Sequence, residues 1–479
     1  MGEVNSPRTT PLPVAGALAI AALIVGVLFR LHGAVTDLWF DEIWSLSLIE
    51  NLPSPLGVFT IRHDNNHLLN SLWLYIVGPD APALAYRAVA LLASLVLLGI
   101  AASAWPLLGR PVEAKSGKPN LFFLVLVALS PQLTLLGTEA RGYSVALCAG
   151  VAILTVLARS EIQPSTRAPW VVAGLAVLGL LSHLSFATVL AAIAFYALVV
   201  IRRRALVPGE RRAFALAGAG LAAVVGALYW FFVRGMVYGG GPPATPVDVF
   251  TRAIAYTLGL PETGVAGIAA TAVAFALGAS WLTRRWRERP ALVVFWWMVT
   301  LVGPVAALLL TRPPVMAPRY FALPALFVLW AVAGALDELC RRGRRARLVA
   351  FALAGLLVAG ATVEQIEFFR FGRGDPRGAI RVMRDRSGPG VIVVASDHDL
   401  RNFLLLRYFH DDVGPGQRLA YVRGGLSSEI APRFFIVHHL DRKTPFLPAL
   451  QHGTGEVLDL IGVFPHAHGF GWGLYQQRD

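Results

Sequence analysis

Cysteine is nearly missing from this chain, at two in 479 residues. Cys148 and Cys340 lie in or beside apolar segments, so no disulfide framework is implied and redox compartment cannot be read from cysteine usage. Charge is thin as well. Charged residues make up 15% and hydrophobic residues 56%, with a mean hydropathy of +0.60, which excludes an ordinary soluble protein of this length. The net charge of +13 comes from short basic clusters between apolar runs. Membrane topology explains such clusters better than a nucleic-acid partner does. No small-residue cleavage site follows the first apolar run, about 14–31, which therefore reads as a retained anchor helix. Solenoid-type repeats, low-complexity tracts and inverted repeats between the halves are also lacking. What is present is a multi-pass membrane protein.

Apolar stretches of about 17–25 residues, some a little shorter, suit a bilayer span. They fall near 14–31, 83–108, 121–137, 142–158, 169–185, 186–201, 213–233, 264–282, 291–311, 319–336 and 348–363. The expected fold class is mainly α, with about eleven transmembrane helices. If the N-terminus is cytoplasmic, every dense basic cluster falls inside, as the positive-inside rule requires. These clusters are Arg110, Lys115 and Lys118; Arg159 and Arg167; Arg202, Arg203, Arg204, Arg211 and Arg212; Arg284, Arg285, Arg287 and Arg289; and Arg341, Arg342, Arg344, Arg345 and Arg347. The outer loops are then about 32–82, 138–141, 234–263 and 312–318, and everything after about 363 is outside too. That last region changes character. Residues 391–395 and 434–437 read as short buried strands, and 376–386 and 400–409 as helices. The expected organisation is a transmembrane domain over 1–363, carrying a large first outer loop at 32–82, and a small C-terminal α/β extracytoplasmic domain over 364–479.

The most informative motif follows the first span: Leu38-Trp39-Phe40-Asp41-Glu42-Ile43-Trp44. Its aromatics suit the headgroup level and would pin two carboxylates at the bilayer face. Residues 43–49 suit a short interfacial helix with Trp44 on its apolar face. Asp41 and Glu42 are either solvated loop acids or, with hydration partly lost beside lipid, a general base and its partner. His63-Asp64-Asn65-Asn66-His67 follows. Its one-turn spacing is a weak metal signature; the alternatives are hydrogen bonds to a sugar or a polar helix cap. Glu139-Ala140-Arg141-Gly142-Tyr143 joins two spans through almost no loop, where charges persist by pairing or by serving function. His183 sits at another tight turn. Pro318-Arg319-Tyr320-Phe321 opens the tenth span, where Arg319 either snorkels toward headgroups or binds an anion.

Taken together, the D-E pair, the H-x-N-N-H element, the E-A-R-G-Y turn and the P-R-Y-F start resemble the GT-C membrane glycosyltransferases. The nearest relatives by motif are the bacterial branch of the protein O-mannosyltransferases and the lipid A aminoarabinose transferases, which are glycosyltransferase family 39-like. The likeness covers about residues 10–340. It departs where relatives often carry a proline-rich H-P-P-L and this chain has His67-Leu68-Leu69.

The resemblance implies a hexosyl- or pentosyltransferase of the cell inner (plasma) membrane, taking sugar from a polyprenyl-phosphate donor on the outer face. The acceptor is a hydroxyl on a glycan, lipid or protein, and anomeric inversion is expected. Asp41 is then the base, and Glu42 positions the acceptor or shares its proton. Arg141 and Arg319 bind the donor phosphate, and His63, Asp64, Asn66, His67, Glu139, Tyr143, His183 and Tyr320 line the substrate. Membrane lipids are partners and nucleic acid is not. No cofactor is assigned, and a divalent metal is left open. A transporter or flippase without chemistry is the main rival, but it would place ionisable residues near the bilayer midplane on broken helices. A structural subunit with a degenerate site is a second.

Overall fold

The structure, a computed structural model, describes residues 12–103, 120–237, 239, 244–311, 316–440 and 444–478. The cluster of Arg110, Lys115 and Lys118 and most of the expected 312–318 loop lie outside the described residues. Among the described residues, nine helices are long and apolar enough to cross a membrane: Val14–Ala34, Ala83–Ser103, Tyr143–Ile162, Leu184–Arg203, Glu210–Gly235, Gly264–Thr283, Pro290–Leu310, Pro318–Arg341 and Arg344–Asp385. They match nine of the eleven expected spans. The other two form shorter helices. The 121–137 run breaks into Leu121–Leu129 and Pro131–Gly137, because Ser130 leaves helical geometry at ψ 119° and Pro131 opens the second segment without an N–H to offer. The 169–185 run stops at Ser182, where His183 is extended at φ −159°.

One compact unit comprises the described residues of Met1–Leu31, Phe59–Asn70 and Ala88–Thr362. The Pro318–Arg341 span is 89% buried and Glu210–Gly235 only 11%, so the former is the axis of the bundle and the latter presents its apolar surface outward. Small residues let Gly264–Thr283 lie close against this axis. A β-carbon on Gly334 would come within 2.3 Å of the Trp281 ring, and one on Gly278 within 2.9 Å of Ala331. Arg30 shows no exposed surface. Its guanidinium donates to Ser94 Oγ at 2.7 Å and to the carbonyls of Gly26, Ala128 and Val127 at 2.9, 3.0 and 3.1 Å. Protein groups thus replace water around the ion.

The second unit comprises the described residues of His32–Val58, Ser71–Arg87 and Val363–Asp479. Its sheet contains β1 (Gly390–Ser396), β2 (Gln417–Tyr421), β3 (Phe434–His439), β4 (Ala449–Gln451), β5 (Val457–Phe464) and β6 (Gly471–Gln477), in the order β2-β1-β3-β6-β5-β4. β1 pairs in parallel with β2 and β3, and the remaining ladders are antiparallel. The expected strands at 391–395 and 434–437 are β1 and β3, and the expected helices form at Pro376–Asp385 and Asp399–Tyr408. The other strands were not anticipated. β5 carries a register shift between Leu460 and Gly462, and β6 holds two glycines, features that blur an alternating pattern.

Candidate active site

In the second unit the acidic pair lies on a helix, Phe40–Ile49, which begins earlier than the 43–49 expected and puts both acids in its first turn. Negative charge is favourable there because the first N–H groups point outward unsatisfied. The Trp39 N–H donates to Glu42 Oε2 at 3.2 Å. Ile43, Leu46 and Ile49 are buried on one stripe of this helix.

The two acids have different surroundings. Glu42 and Arg87 are both fully buried. Arg87 Nε donates to Glu42 Oε1 at 2.7 Å and Nη2 to Oε2 at 2.6 Å, a bidentate pair. The remaining Arg87 donors meet the carbonyls of Ala34 at 3.1 Å, Thr36 at 2.5 Å and Asp37 at 2.9 Å. Glu42 cannot meet an acceptor without opening this pair, so its geometry is that of a staple holding the approach to the helix. Asp41 is half-buried, and its carbonyl accepts from Ser45 Oγ at 2.9 Å. Arg87 was absent from the expected site because it lies inside an apolar run.

In the first unit, the expected residues around three tight turns gather at one place. His67 and His183 stack with ring centres 6.1 Å apart and planes 9° from parallel. Tyr143 stacks on His183 at 4.1 Å, and Tyr320 lies 6.5 Å from His183. The Arg141 guanidinium is 5.7 Å from the Tyr143 ring centre and that of Arg319 is 5.9 Å from the Tyr320 ring centre. Both arginines act electrostatically on His67. Burial in the first place, and those neighbours after it, hold the His67 imidazole well below the ordinary histidine range. His67 is therefore neutral at pH 7, with Nδ1 against Asn66 Oδ1. Glu139 is buried in the same turn as Arg141.

Main-chain contacts fasten the turns together. The Leu184 N–H donates to the Asn66 carbonyl at 2.9 Å, and Asn70 Nδ2 donates to the Ala140 carbonyl at 2.6 Å. Gly142 is the point of closest approach: a β-carbon there would sit 1.6 Å from the Ser182 carbonyl oxygen and 3.0 Å from His67 Cβ. The Ser185 N–H donates to His183 Nδ1 at 3.1 Å, so the neutral ring carries its hydrogen on Nε2. That Nε2 and the Tyr143 hydroxyl are buried without a hydrogen-bond partner among the described residues. Buried donors of this kind ask for an explanation, and a bound ligand is one. Asn70 and Gly142 were missed at the sequence level, though an asparagine one turn beyond H-D-N-N-H and the glycine inside E-A-R-G-Y were the available signals.

His63 and Asp64 stand apart from this cluster. His63 Nδ1 lies 2.9 Å from Asp64 Oδ2, with the imidazole half exposed. The His63 backbone bridges to Val237, and Asp64 Oδ1 accepts from the Gly239 N–H at 3.0 Å. The two histidines of the H-D-N-N-H element thus serve different surroundings. Among the described residues no three His, Cys, Asp or Glu side chains gather as metal ligands.

Neither a protein-family model nor a curated protein matches the chain. Among solved structures it is similar to ArnT from Cupriavidus metallidurans in the apo state, at 14% identity and a TM-score of 0.52, over 97% of this chain and 98% of that one. It is also similar to ArnT from the same organism bound to undecaprenyl phosphate, at 12% identity and a TM-score of 0.49, over 97% and 98% of the two chains. The Archaeoglobus fulgidus oligosaccharyltransferase in complex with zinc and sulfate is similar at 14% identity and a TM-score of 0.45, over 88% of this chain and 67% of that one. The likeness to apo ArnT shows the fold: this chain has the polytopic, mainly helical architecture of that structure.

Proposed function

We propose that the protein is a membrane glycosyltransferase that moves a sugar from a polyprenyl monophosphate to an acceptor hydroxyl, with inversion at the anomeric carbon. The cluster of Arg141, Arg319, His183 and Tyr143 carries the proposal. Its helices all begin there: Leu68–Val77, Tyr143–Ile162, Ala187–Arg203 after the short turn that follows His183, and Ala322–Arg341 after Pro318–Phe321. Positive helix ends, two guanidiniums and two donors with unused hydrogens make a site for a phosphate whose negative charge grows as its sugar departs. The undecaprenyl phosphate bound by ArnT in one of its structures is a ligand of that chemistry, and the fold is shared with ArnT.

In this reading Asp41 takes the proton of the acceptor hydroxyl while that oxygen attacks the anomeric carbon. The bond from that carbon to the phosphate oxygen breaks, and the carrier leaves as polyprenyl monophosphate. Glu42 is a positioning residue, holding the Asp41 turn through Arg87. The carrier tail lies along the apolar helices, each buried methylene contributing about 0.8 kcal/mol. The N-terminus is cytoplasmic, because Arg159, Arg202, Arg203 and Arg341 lie at the far ends of helices whose first residues form the cluster. Reporter fusions after Arg347 and after Gln477 are expected to score inside and outside.

The deciding experiment is Asp41→Asn in purified protein, supplied with undecaprenyl-phosphate-linked hexoses and pentoses and followed by release of undecaprenyl phosphate. Turnover should fall about 10²- to 10⁴-fold with donor binding retained. Wild-type turnover in this variant removes Asp41 from the chemistry.

A further inference from the structure

The helix Asp399–Tyr408 of the C-terminal region brings an arginine against the aromatic residue that precedes the acidic pair. The Arg401 guanidinium lies 4.0 Å from the Phe470 ring centre and 5.5 Å from that of Phe40, the residue immediately before Asp41. The two rings meet edge to face at 5.8 Å. A cation flattened on aromatic faces is held in place without losing its charge. The same pair of helices is tied again further along, where Arg407 Nη2 reaches Glu50 Oε1 at 2.6 Å. The seat is also built from the loop side. Gly469 has φ +129°, and a β-carbon there would fall 2.3 Å from the Arg373 carbonyl oxygen. Only glycine lets the loop carry Phe470 into position.

Behind Arg401 stands a relay of side chains. Arg401 Nη1 meets His438 Nε2, and His438 Nδ1 lies 2.8 Å from Asp397 Oδ1. Arginine can only donate, so Nε2 accepts, and Nδ1 carries the hydrogen that it gives to Asp397. His438 also packs edge-on to Phe470 at 5.9 Å and to His398 at 5.5 Å. Burial works against the Arg401 charge, and the carboxylates of Asp41 and Asp397 favour it. Asp397 already accepts from His438. Arg401 Nε is buried and has no hydrogen-bond partner among the described residues.

We propose that Arg401 is a positioning residue for the candidate base: supplied by the C-terminal α/β region and fixed by Phe470, His438 and Asp397, it orients the Asp41 carboxylate toward the acceptor hydroxyl. The C-terminal region is then part of the active site. This inference rests on the reading of Asp41 as the base.

A double-mutant cycle on turnover of undecaprenyl-phosphate-linked sugars separates the two. Arg401→Gln should lower kcat by up to about 10²-fold, the scale of a misoriented catalytic group, with donor KM unchanged and an unchanged melting curve in detergent. In an Asp41→Asn background the same change should cost nothing further, because a residue acting through Asp41 has nothing left to orient. Guanidinium ion added to Arg401→Ala should restore part of kcat. Wild-type kcat in Arg401→Gln, or a loss that recurs in full in the double variant, overturns the positioning role and leaves Asp41 as the base. Wild-type turnover in Asp41→Asn overturns both. If Arg401→Gln fails to fold, Arg401→Lys and Phe470→Leu take its place, and the same non-additivity with Asp41→Asn decides the outcome.

Discussion

The Glu42–Arg87 pair and the His67–His183–Tyr143 cluster are both polar groups buried in an apolar protein, and they differ in how completely their hydrogen bonds are used. Every oxygen of Glu42 is met, and Arg87 is surrounded by carbonyl oxygens. In the cluster, the Tyr143 hydroxyl and His183 Nε2 have no partner among the described residues. A closed assembly of charges specifies how the backbone is held; an open one keeps donors available at a cost to stability of about 1–3 kcal/mol per unsatisfied group. The comparison therefore separates residues that shape the fold from residues whose donors the proposed phosphate site would use.

The sharpest way to break that comparison is Arg87→Leu. It strands the Glu42 carboxylate in a sealed site and should destabilise the protein by about 3–5 kcal/mol, read as a large drop in melting temperature in detergent. A variant that melts with the wild type would mean the pair is not closed in solution. Gly142→Ala should come next. Its methyl group collides with a backbone carbonyl, not with a flexible side chain, so the turn must move. A loss of about 3 kcal/mol is expected, at the upper end for overpacking, together with loss of undecaprenyl phosphate binding.

Tyr143→Phe tests the open side. Removing a buried hydroxyl that has no partner among the described residues should raise stability by about 1–3 kcal/mol while weakening retention of undecaprenyl phosphate. If stability falls and binding does not, the hydroxyl is structural and the distinction between the two assemblies fails. The smallest effect concerns pH. Burial and the neighbouring cations depress the His67 value in the folded protein, so the unfolded chain takes up the proton first, near 6.5. The stabilisation is fully present above that pH and declines as pH falls below it, by at most about 1.4 kcal/mol per pH unit. Melting temperatures at pH 7.5 and 5.0 should diverge less in His67→Asn than in the wild type. Equal divergence would place the acid sensitivity elsewhere.

Much of the expected site lay on the surface of the sequence because short turns between apolar runs leave polar residues few places to go. Arg141 and Tyr143 lie on opposite sides of Gly142, and Pro318 fixes where Arg319 leaves the loop, so that their grouping followed from span ends. Arg87 and Arg401 were not legible in that way. One lies within an apolar helix and the other on a helix whose neighbours in the chain are ordinary polar and aliphatic residues. Their meaning comes from Glu42, Phe40 and Phe470, all distant along the chain. His63 and His67 show the converse: a spacing suggestive of one site is divided by the backbone bridge between His63 and Val237.

By itself the sequence determined the membrane class, the helical fold and the ends of most spans, since hydropathy over about twenty residues is a local property and backbone groups in lipid must bond within their own helix. It also marked the acids, arginines and aromatics. Tertiary structure decided which of two adjacent acids is sealed by a partner 45 residues away, and that an arginine from the C-terminal helix lies over the ring of the residue before the other. It also decided that two arginines 178 positions apart, Arg141 and Arg319, act on the same histidines. Charge pairing depends on distance in space, and hydropathy and spacing carry no information about that distance until the chain has folded.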